Sequence, residues 1–188
     1  MQYSVGDKVQ TRINKIQEKG CFCSFLPLGK NQFGFMPNYL MPSFFDENGN
    51  FTKSVGDQVM VVINEINNEG FITLSDINTY ELRQRVENFA TKYEPGIIFE
   101  TEVVHVQNSK VIIKLGDIQG IIRKEDTNWN EIDRLEDLLF EGETIDAVYI
   151  RYENGQLFFS LKLLNEKPYN DKLYARQAPP AVFFHLQV

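Results

Sequence analysis

Phe22 sits between two cysteines in the run Gly20-Cys21-Phe22-Cys23-Ser24-Phe25. Strand alternation sends Cys21, Cys23 and Phe25 to one face and Phe22 to the other. An outward ring in such a run is a platform on which a planar group can stack. Phe71 falls on the same outward surface, Phe33 and Phe35 flank it on the next strand, and Arg12, Lys19 and Lys30 lie nearby. Rings for bases and cations for phosphates are what single-strand nucleic-acid binding requires, each stacked base contributing about 1–3 kcal/mol. Two arrangements fit Phe22. Either it is open to a ligand, or the later segment Asn38–Lys53, with Phe44, Phe45 and Phe51, folds over it.

A second constellation follows in the other half. Lys110, Ile112 and Lys114 share an outward strand face, Arg123 and Lys124 end the next strand, and Phe158 points outward from a later one. This is a basic stripe with one aromatic, or else a set of solvated lysines. Trp129 offers another flat ring, but its spacing with Ile132 favours core packing.

Catalytic chemistry has little to work with. His105 and His185 lie in strand-like apolar settings without a partner motif, and no nucleophile elbow, phosphate loop or His/Glu metal cluster occurs. Cys21 and Cys23 are poorly placed for a disulfide and too few for a metal site, so buried thiols are expected. The reading is a non-enzyme with no cofactor. No apolar run approaches the roughly 20 residues of a membrane span, and no signal-peptide pattern is present, so a cytoplasmic location is expected.

The net charge of −7 is unusual for a nucleic-acid binder, and its distribution matters more than its sum. Residues 1–77 carry 6 basic and 8 acidic side chains, whereas residues 94–165 carry 7 and 14. Charge-driven binding to duplex DNA is excluded on that balance. A local basic stripe can still focus a polyanion on a net-negative protein.

The elements that must position these groups repeat. Val5-Gly6-Asp7-Lys8-Val9 is echoed by Val55-Gly56-Asp57-Gln58-Val59, and Pro95-Gly96 and Glu141-Gly142 hold the same places in the second half. A repeat unit of about 90 residues is a whole domain. Val9, Thr11 and Ile13 alternate and are followed by Ile16 after a bulge. Val59, Val61 and Ile63, then Ile72 and Leu74, also alternate. Phe99, Thr101 and Val103 open the second set, with Val111, Ile113 and Leu115, then Ile145, Ala147 and Tyr149, then Leu157, Phe159 and Leu161. Short strands with Gly and Asn turns predict an all-β chain of two five-stranded antiparallel barrels of the OB-fold type. Asp126–Phe140 shows helical spacing of Trp129, Ile132, Leu135 and Leu138/Leu139. Thr79–Lys92 predicts a short connecting helix with Leu82, Val86 and Phe89 on one side, a spacer fixing one barrel against the other. The expected organisation is a first barrel over 1–77, a helical connector over 78–92, a second barrel over 93–165 and a tail over 166–188. That tail ends in an apolar, strand-like run from Ala181 to Val188.

These motifs resemble the S-one domain, named for the large RNA-binding protein of the bacterial small ribosomal subunit. The first half reads Gly6…Val9-x-x-x-Ile13, Gly20-Cys21-Phe22-Cys23, Gly34-Phe35-Met36-Pro37, Gly56-Asp57-x-Val59 and Gly70-Phe71-Ile72-Thr73-Leu74-Ser75. The second reads Gly96…Phe99-x-x-x-Val103, Gly120-Ile121-Ile122-Arg123, Gly142-Glu143 and Gly155-Gln156-Leu157-Phe158-Phe159-Ser160-Leu161-Lys162. The pieces occur in order, twice, over residues 3–77 and 93–165. Relative to the family's pattern Phe22 keeps an aromatic, Pro37 replaces a histidine, and Asn67 and Phe71 replace the acidic and basic residues. In the second half Ile112 replaces the aromatic, Arg123 the histidine and Gln156 the arginine.

The resemblance implies sequence-tolerant binding of single-stranded RNA in translation or RNA turnover. It implies as a rival a module that docks on ribosomal or RNA-processing proteins through its acidic second barrel. A third reading is a targeting fragment of a larger nuclease or helicase.

Overall fold

A computed structural model of the chain describes residues 3–26 and 32–165. Lys30, His185 and the tail over 166–188 lie outside the described residues. The strands are β1 (Lys8–Gln17), β2 (Gly20–Phe25), β3 (Phe33–Pro37), β4 (Gln58–Ile66) and β5 (Ile72–Ser75), then helix α1 (Ile77–Lys92). The second set is β6 (Ile98–Gln107), β7 (Lys110–Leu115), β8 (Ile118–Arg123), β9 (Thr144–Glu153) and β10 (Gln156–Ser160). Each set closes into a barrel, in the orders β1-β2-β3-β5-β4 and β6-β7-β8-β10-β9. Closure rests on one short parallel pair in each, Gly34↔Ile72 with Phe35↔Thr73, and Leu157↔Gly120 through Phe159↔Ile122. The other pairs are antiparallel. This is OB-fold topology, twice, joined by a short helix. The chain divides into two compact units between Gln84 and Arg85.

The repeat extends to individual hydrogen bonds. Buried Thr11 donates its hydroxyl to the Val59 carbonyl at 3.2 Å, and Thr101 does the same to Ile145 at 3.1 Å. Ser75 donates to Leu40 O, and Ser160 to Asp126 O, both at 3.1 Å. Gly56 N–H donates to Ile13 O as Gly142 N–H does to Val103 O, each at 2.7 Å. The first strand of each barrel bulges directly after the same core residue, between Ile13 and Lys15 and between Val103 and His105. Such a bulge bends the strand around the barrel and re-aims the side chains that follow.

Two glycines let the fifth strands fill the cores. A Cβ on Gly34 would stand 2.7 Å from Leu74, and one on Gly120 would stand 2.5 Å from the Phe159 ring. The first core is sulfur-rich, built on Ile13, Cys21, Cys23, Phe25, Met36, Met41, Phe44, Ile63 and Leu74. The second is aromatic at its centre. Phe89, Phe99, Tyr149 and Phe159 pack with ring centroids 5.1–6.4 Å apart, in the range where tilted and edge-on pairs are favourable. Cys21 and Cys23 are both fully buried with sulfurs 3.8 Å apart. Contact with Cys23 and burial push the Cys21 thiol far above its ordinary range.

Two expectations change. Helix α1 begins at Ile77 rather than Thr79, because Asp76 caps it: its Oδ1 accepts the Thr79 N–H at 2.7 Å. Val86 and Phe89 are buried, but Leu82 is exposed. The helical spacing in Asp126–Phe140 does not become an α-helix. The segment holds a single-turn 3₁₀ helix at Leu135–Asp137 and otherwise irregular backbone. Short polar side chains compete for the backbone there: Asn128 Oδ1 accepts the Asn130 N–H and Thr127 Oγ1 donates to Lys124 O. Leu135 and Leu139 reach the core, and Trp129 does not. The Trp129 ring stays half-buried at the surface under the Lys162 ammonium, 5.5 Å from its centroid.

Candidate nucleic-acid interface

Register builds the outer face of the first barrel. Across β1, β2, β3 and β5 one row runs Lys15, Phe22, Phe35, Thr73. The row beside it runs Arg12, Ser24, Phe33. Phe71 enters β5 one residue before Ile72, the parallel partner of Gly34, and so lies next to Phe33. Four phenylalanines therefore share one surface. Phe22 and Phe35 touch, with centroids 4.9 Å apart and rings tilted by 48°. Phe35 lies across Gly20, where a Cβ would come within 2.6 Å of the ring. Phe33 and Phe71 are 52% and 48% exposed, which is costly for isolated rings in water.

The loop expected as an alternative cover for Phe22 is engaged elsewhere. Phe44 is buried in the first core, and Phe51 packs edge-on against both Phe44 and Phe45. Phe22, Gln32, Phe33, Glu69 and Phe71 instead line an open depression of about 430 Å³.

Cations border these rings on the β1 side. Lys15 is exposed opposite Phe22, Arg12 is half-buried opposite Ser24, and Lys19 is exposed in the turn before β2. Among the described residues none of the three lies within salt-bridge distance of a carboxylate. Lys15 escapes sequence reasoning because simple alternation from Ile13 turns it inward. The bulge at Asn14 turns it out, and a bulge in that stretch is the available signal.

The corresponding row of the second barrel reads His105, Ile112, Ile121, Phe158, Arg151. Aliphatic side chains stand where Phe22 and Phe35 stand in the first. Phe158 leaves the core as expected, yet it is only 5% exposed. Guanidiniums from both neighbouring strands cover it, Arg123 of β8 at 4.7 Å and Arg151 of β9 at 4.5 Å from its centroid. Its π-face is thus occupied by cations of its own chain. Those cations are also partnered, Arg123 with Glu125 at 4.0 Å and Arg151 with Glu153 at 3.2 Å. Lys124 donates to Asp133 O at 2.8 Å. Lys110 is half-buried beside Arg123, and Lys114 is exposed opposite Glu102. The structure therefore brings together Phe22, Phe33, Phe35 and Phe71 with Arg12 and Lys19, and disperses or neutralises much of the second stripe.

Acidic contacts continue around this barrel. Glu141 contacts His105 Nδ1 and accepts the Val106 N–H, and both interactions hold its carboxyl below the usual glutamate range, the histidine contributing most. Among the described residues no group of three or more His, Cys, Asp or Glu side chains is placed to hold a metal ion. No helix among them is long and apolar enough to cross a membrane.

No family model matches this sequence. Among solved structures, the chain is similar to one in the a/eIF2alpha–aDim2p–rRNA complex from Pyrococcus horikoshii, at 19% identity and a TM-score of 0.38, over 39% of this chain and 47% of that one. It is also similar to a multidomain protein with nucleic acid binding domains from Streptococcus pneumoniae, at 13% identity and a TM-score of 0.29, over 86% of this chain and 54% of the other. The intact alpha subunit of aIF2 from Pyrococcus abyssi aligns at 15% identity and a TM-score of 0.34, over 48% of this chain and 39% of that subunit. The alignment thus spans about half or less of each of these three structures.

Proposed function

We propose that the first barrel binds single-stranded RNA, with bases stacked on Phe22, Phe33, Phe35 and Phe71 and phosphates held by Arg12, Lys15, Lys19 and Lys30. One observation carries the reading: two half-exposed rings, Phe33 and Phe71, stand beside the Phe22–Phe35 pair on a face bordered by Arg12, Lys15 and Lys19, which make no ion pair among the described residues. Stacking accepts any base, so the binding tolerates sequence variation. Lys110, Lys114 and Lys124 add secondary phosphate contacts. With the S-one resemblance, this makes the protein a cytoplasmic RNA-binding factor of translation or RNA turnover, acting by binding rather than catalysis.

The second barrel favours a different role. Phe140 is 65% exposed and Leu138 is 38% exposed, in a stretch that includes Glu136, Asp137, Glu141 and Glu143. An apolar patch with an acidic rim suits a basic ribosomal or RNA-processing protein.

The test is fluorescence anisotropy of the full chain with a labelled, unstructured RNA of about 15 nucleotides, near the upper end of the roughly 4–16 an OB barrel covers. Binding in the micromolar range or tighter is expected. It weakens as salt is raised and falls about fivefold or more in Phe22→Ala, the loss of one stacking platform. Absence of binding at low salt would sink the proposal.

A further inference from the structure

The aromatic face of the first barrel is chemically lopsided. Its cations stand on β1 and, alongside Glu18, in the β1–β2 turn, while its far margin, the β4–β5 hairpin, carries Glu65 opposite Thr73 and Glu69 in the depression. That hairpin is held by one side chain. Asn67 Oδ1 accepts the N–H groups of both Glu69, at 3.0 Å, and Phe71, at 2.8 Å, and Asn67 N–H donates to Phe71 O at 3.0 Å. A stacking ring and a carboxylate are therefore presented together from one braced turn. Across the depression stands Gln32, whose side-chain oxygen is buried with no hydrogen-bond partner among the described residues.

A carboxylate beside a stacking platform is unfavourable for phosphate and only accepts hydrogen bonds. A bound strand offers it ribose 2′-hydroxyls and the donor-bearing edges of bases, and only the base edges differ with sequence. The four bases differ there. Guanine offers adjacent N1–H and N2–H donors that match the two oxygens of a carboxylate, and cytosine and adenine offer one exocyclic amine. Uracil places a single N–H between two carbonyl oxygens, which a carboxylate repels. Resting on the RNA-binding reading above, we propose that the depression walled by Phe22, Phe33 and Phe71 is a base-reading subsite in which Glu69 selects guanine and disfavours uracil. The rest of the face stacks without preference, so the selectivity applies to one nucleotide within a sequence-tolerant footprint. The charge polarity also orients the strand, with phosphates along β1 and base edges toward the β4–β5 hairpin.

The test uses the full chain and labelled oligouridine of the length used above, alongside the same oligomer with one central uridine replaced by guanosine, adenosine or cytidine. The single guanosine is expected to tighten binding roughly fivefold or more, the lower bound for a good bidentate contact. Glu69→Ala removes that difference while oligouridine binds as well as before or better, since a negative charge is gone. Glu69→Gln presents one acceptor and one donor, which match an adjacent donor–acceptor pair on any of the four bases, and so removes the preference for guanosine over uridine. Equal binding of all four oligomers by the unaltered protein would overturn the subsite and leave the RNA-binding reading intact. So would a uniform loss of affinity for all four in Glu69→Ala. Absence of binding to every oligomer would overturn both.

Discussion

The two barrels share strand order, bulge positions and buried Thr and Ser hydrogen bonds, and they present opposed surfaces. On the first, Phe22 and Phe35 pack with tilted rings, Phe33 and Phe71 remain half open, and Lys15 and Arg12 stand beside them without carboxylate partners among the described residues. On the second, Ile112 and Ile121 occupy the same row, and the ring beside them, Phe158, lies beneath two guanidiniums. Their interiors differ too: the first sets Cys21, Cys23, Met36 and Met41 beside Phe25 and Phe44, and the second centres on the packed rings of Phe89, Phe99, Tyr149 and Phe159. A scaffold fixed by backbone pairing and a few buried hydroxyls thus leaves its outer row free to vary. What a barrel of this type binds has to be argued from that row and not from the topology.

The largest expected effect tests whether the two interiors are as different as they look. In Gly120→Ala the new methyl meets the Phe159 ring at 2.5 Å, inside a cluster of packed aromatics. A ring held on several sides yields little, so the second barrel loses about 1–3 kcal/mol. Gly34→Ala meets Leu74 at 2.7 Å and the Ile72 backbone oxygen at 3.3 Å, and one aliphatic side chain repacks at smaller cost than a ring wedged among rings. Hydrogen exchange followed strand by strand checks both. Faster exchange confined to β6–β10 in the first variant is expected, and equal losses in the two would remove the distinction.

A transplant sharpens the comparison of surfaces. Ile112→Phe combined with Ile121→Phe rebuilds in the second barrel the ring pair of the first. In a background lacking Phe22, Phe33 and Phe71, it is expected to restore RNA affinity by about 1 kcal/mol, the low end for one stacked base, because the surrounding charge remains acidic. Anisotropy measures this. No recovery would show that charge, not the missing rings, separates the barrels.

The smallest effect concerns acid. Glu141 is held below its ordinary value of 4.5 chiefly by His105. A carboxyl depressed in the folded state contributes stability that is present above its unfolded pKa and is lost as pH falls through the folded one. Both groups are exposed, so the contribution is small. Acid unfolding of the second barrel below about pH 4.5 should show a shallow extra loss that Glu141→Gln lacks, with the first barrel unaffected.

Much of this was legible from alternation. The ten strands, the bulge after Ile13, the buried cysteines and the shared face of Phe22, Phe33, Phe35 and Phe71 follow from a period of two and the turn glycines. The cover over Phe158 was not legible, because Arg151 arrives from β9, and its register depends on an irregularity between Phe158 and Phe159. The outward turn of Lys15 is implicit in the bulge after Ile13, although simple alternation hides it. Trp129 and Ile132 misled through spacing alone, since Asn128, Asn130 and Thr127 spend the local backbone groups on turns. Leu82 misled because amphipathic spacing does not say which positions of a helix face have something to pack against.

Asp76 ties together two steps of assembly. It is 3% exposed, with one carboxylate oxygen on the Ser43 hydroxyl at 2.8 Å and the other on the Thr79 N–H at 2.7 Å, while its own N–H donates to Leu40 O. Ser43 and Leu40 belong to the segment that follows β3, so the cap is in position only once that segment has settled onto the end of β5. During synthesis from the N-terminus, the connecting helix acquires a defined first turn when the first barrel is complete, and not before. Completion of one domain thereby becomes the starting signal for the element that leads into the next.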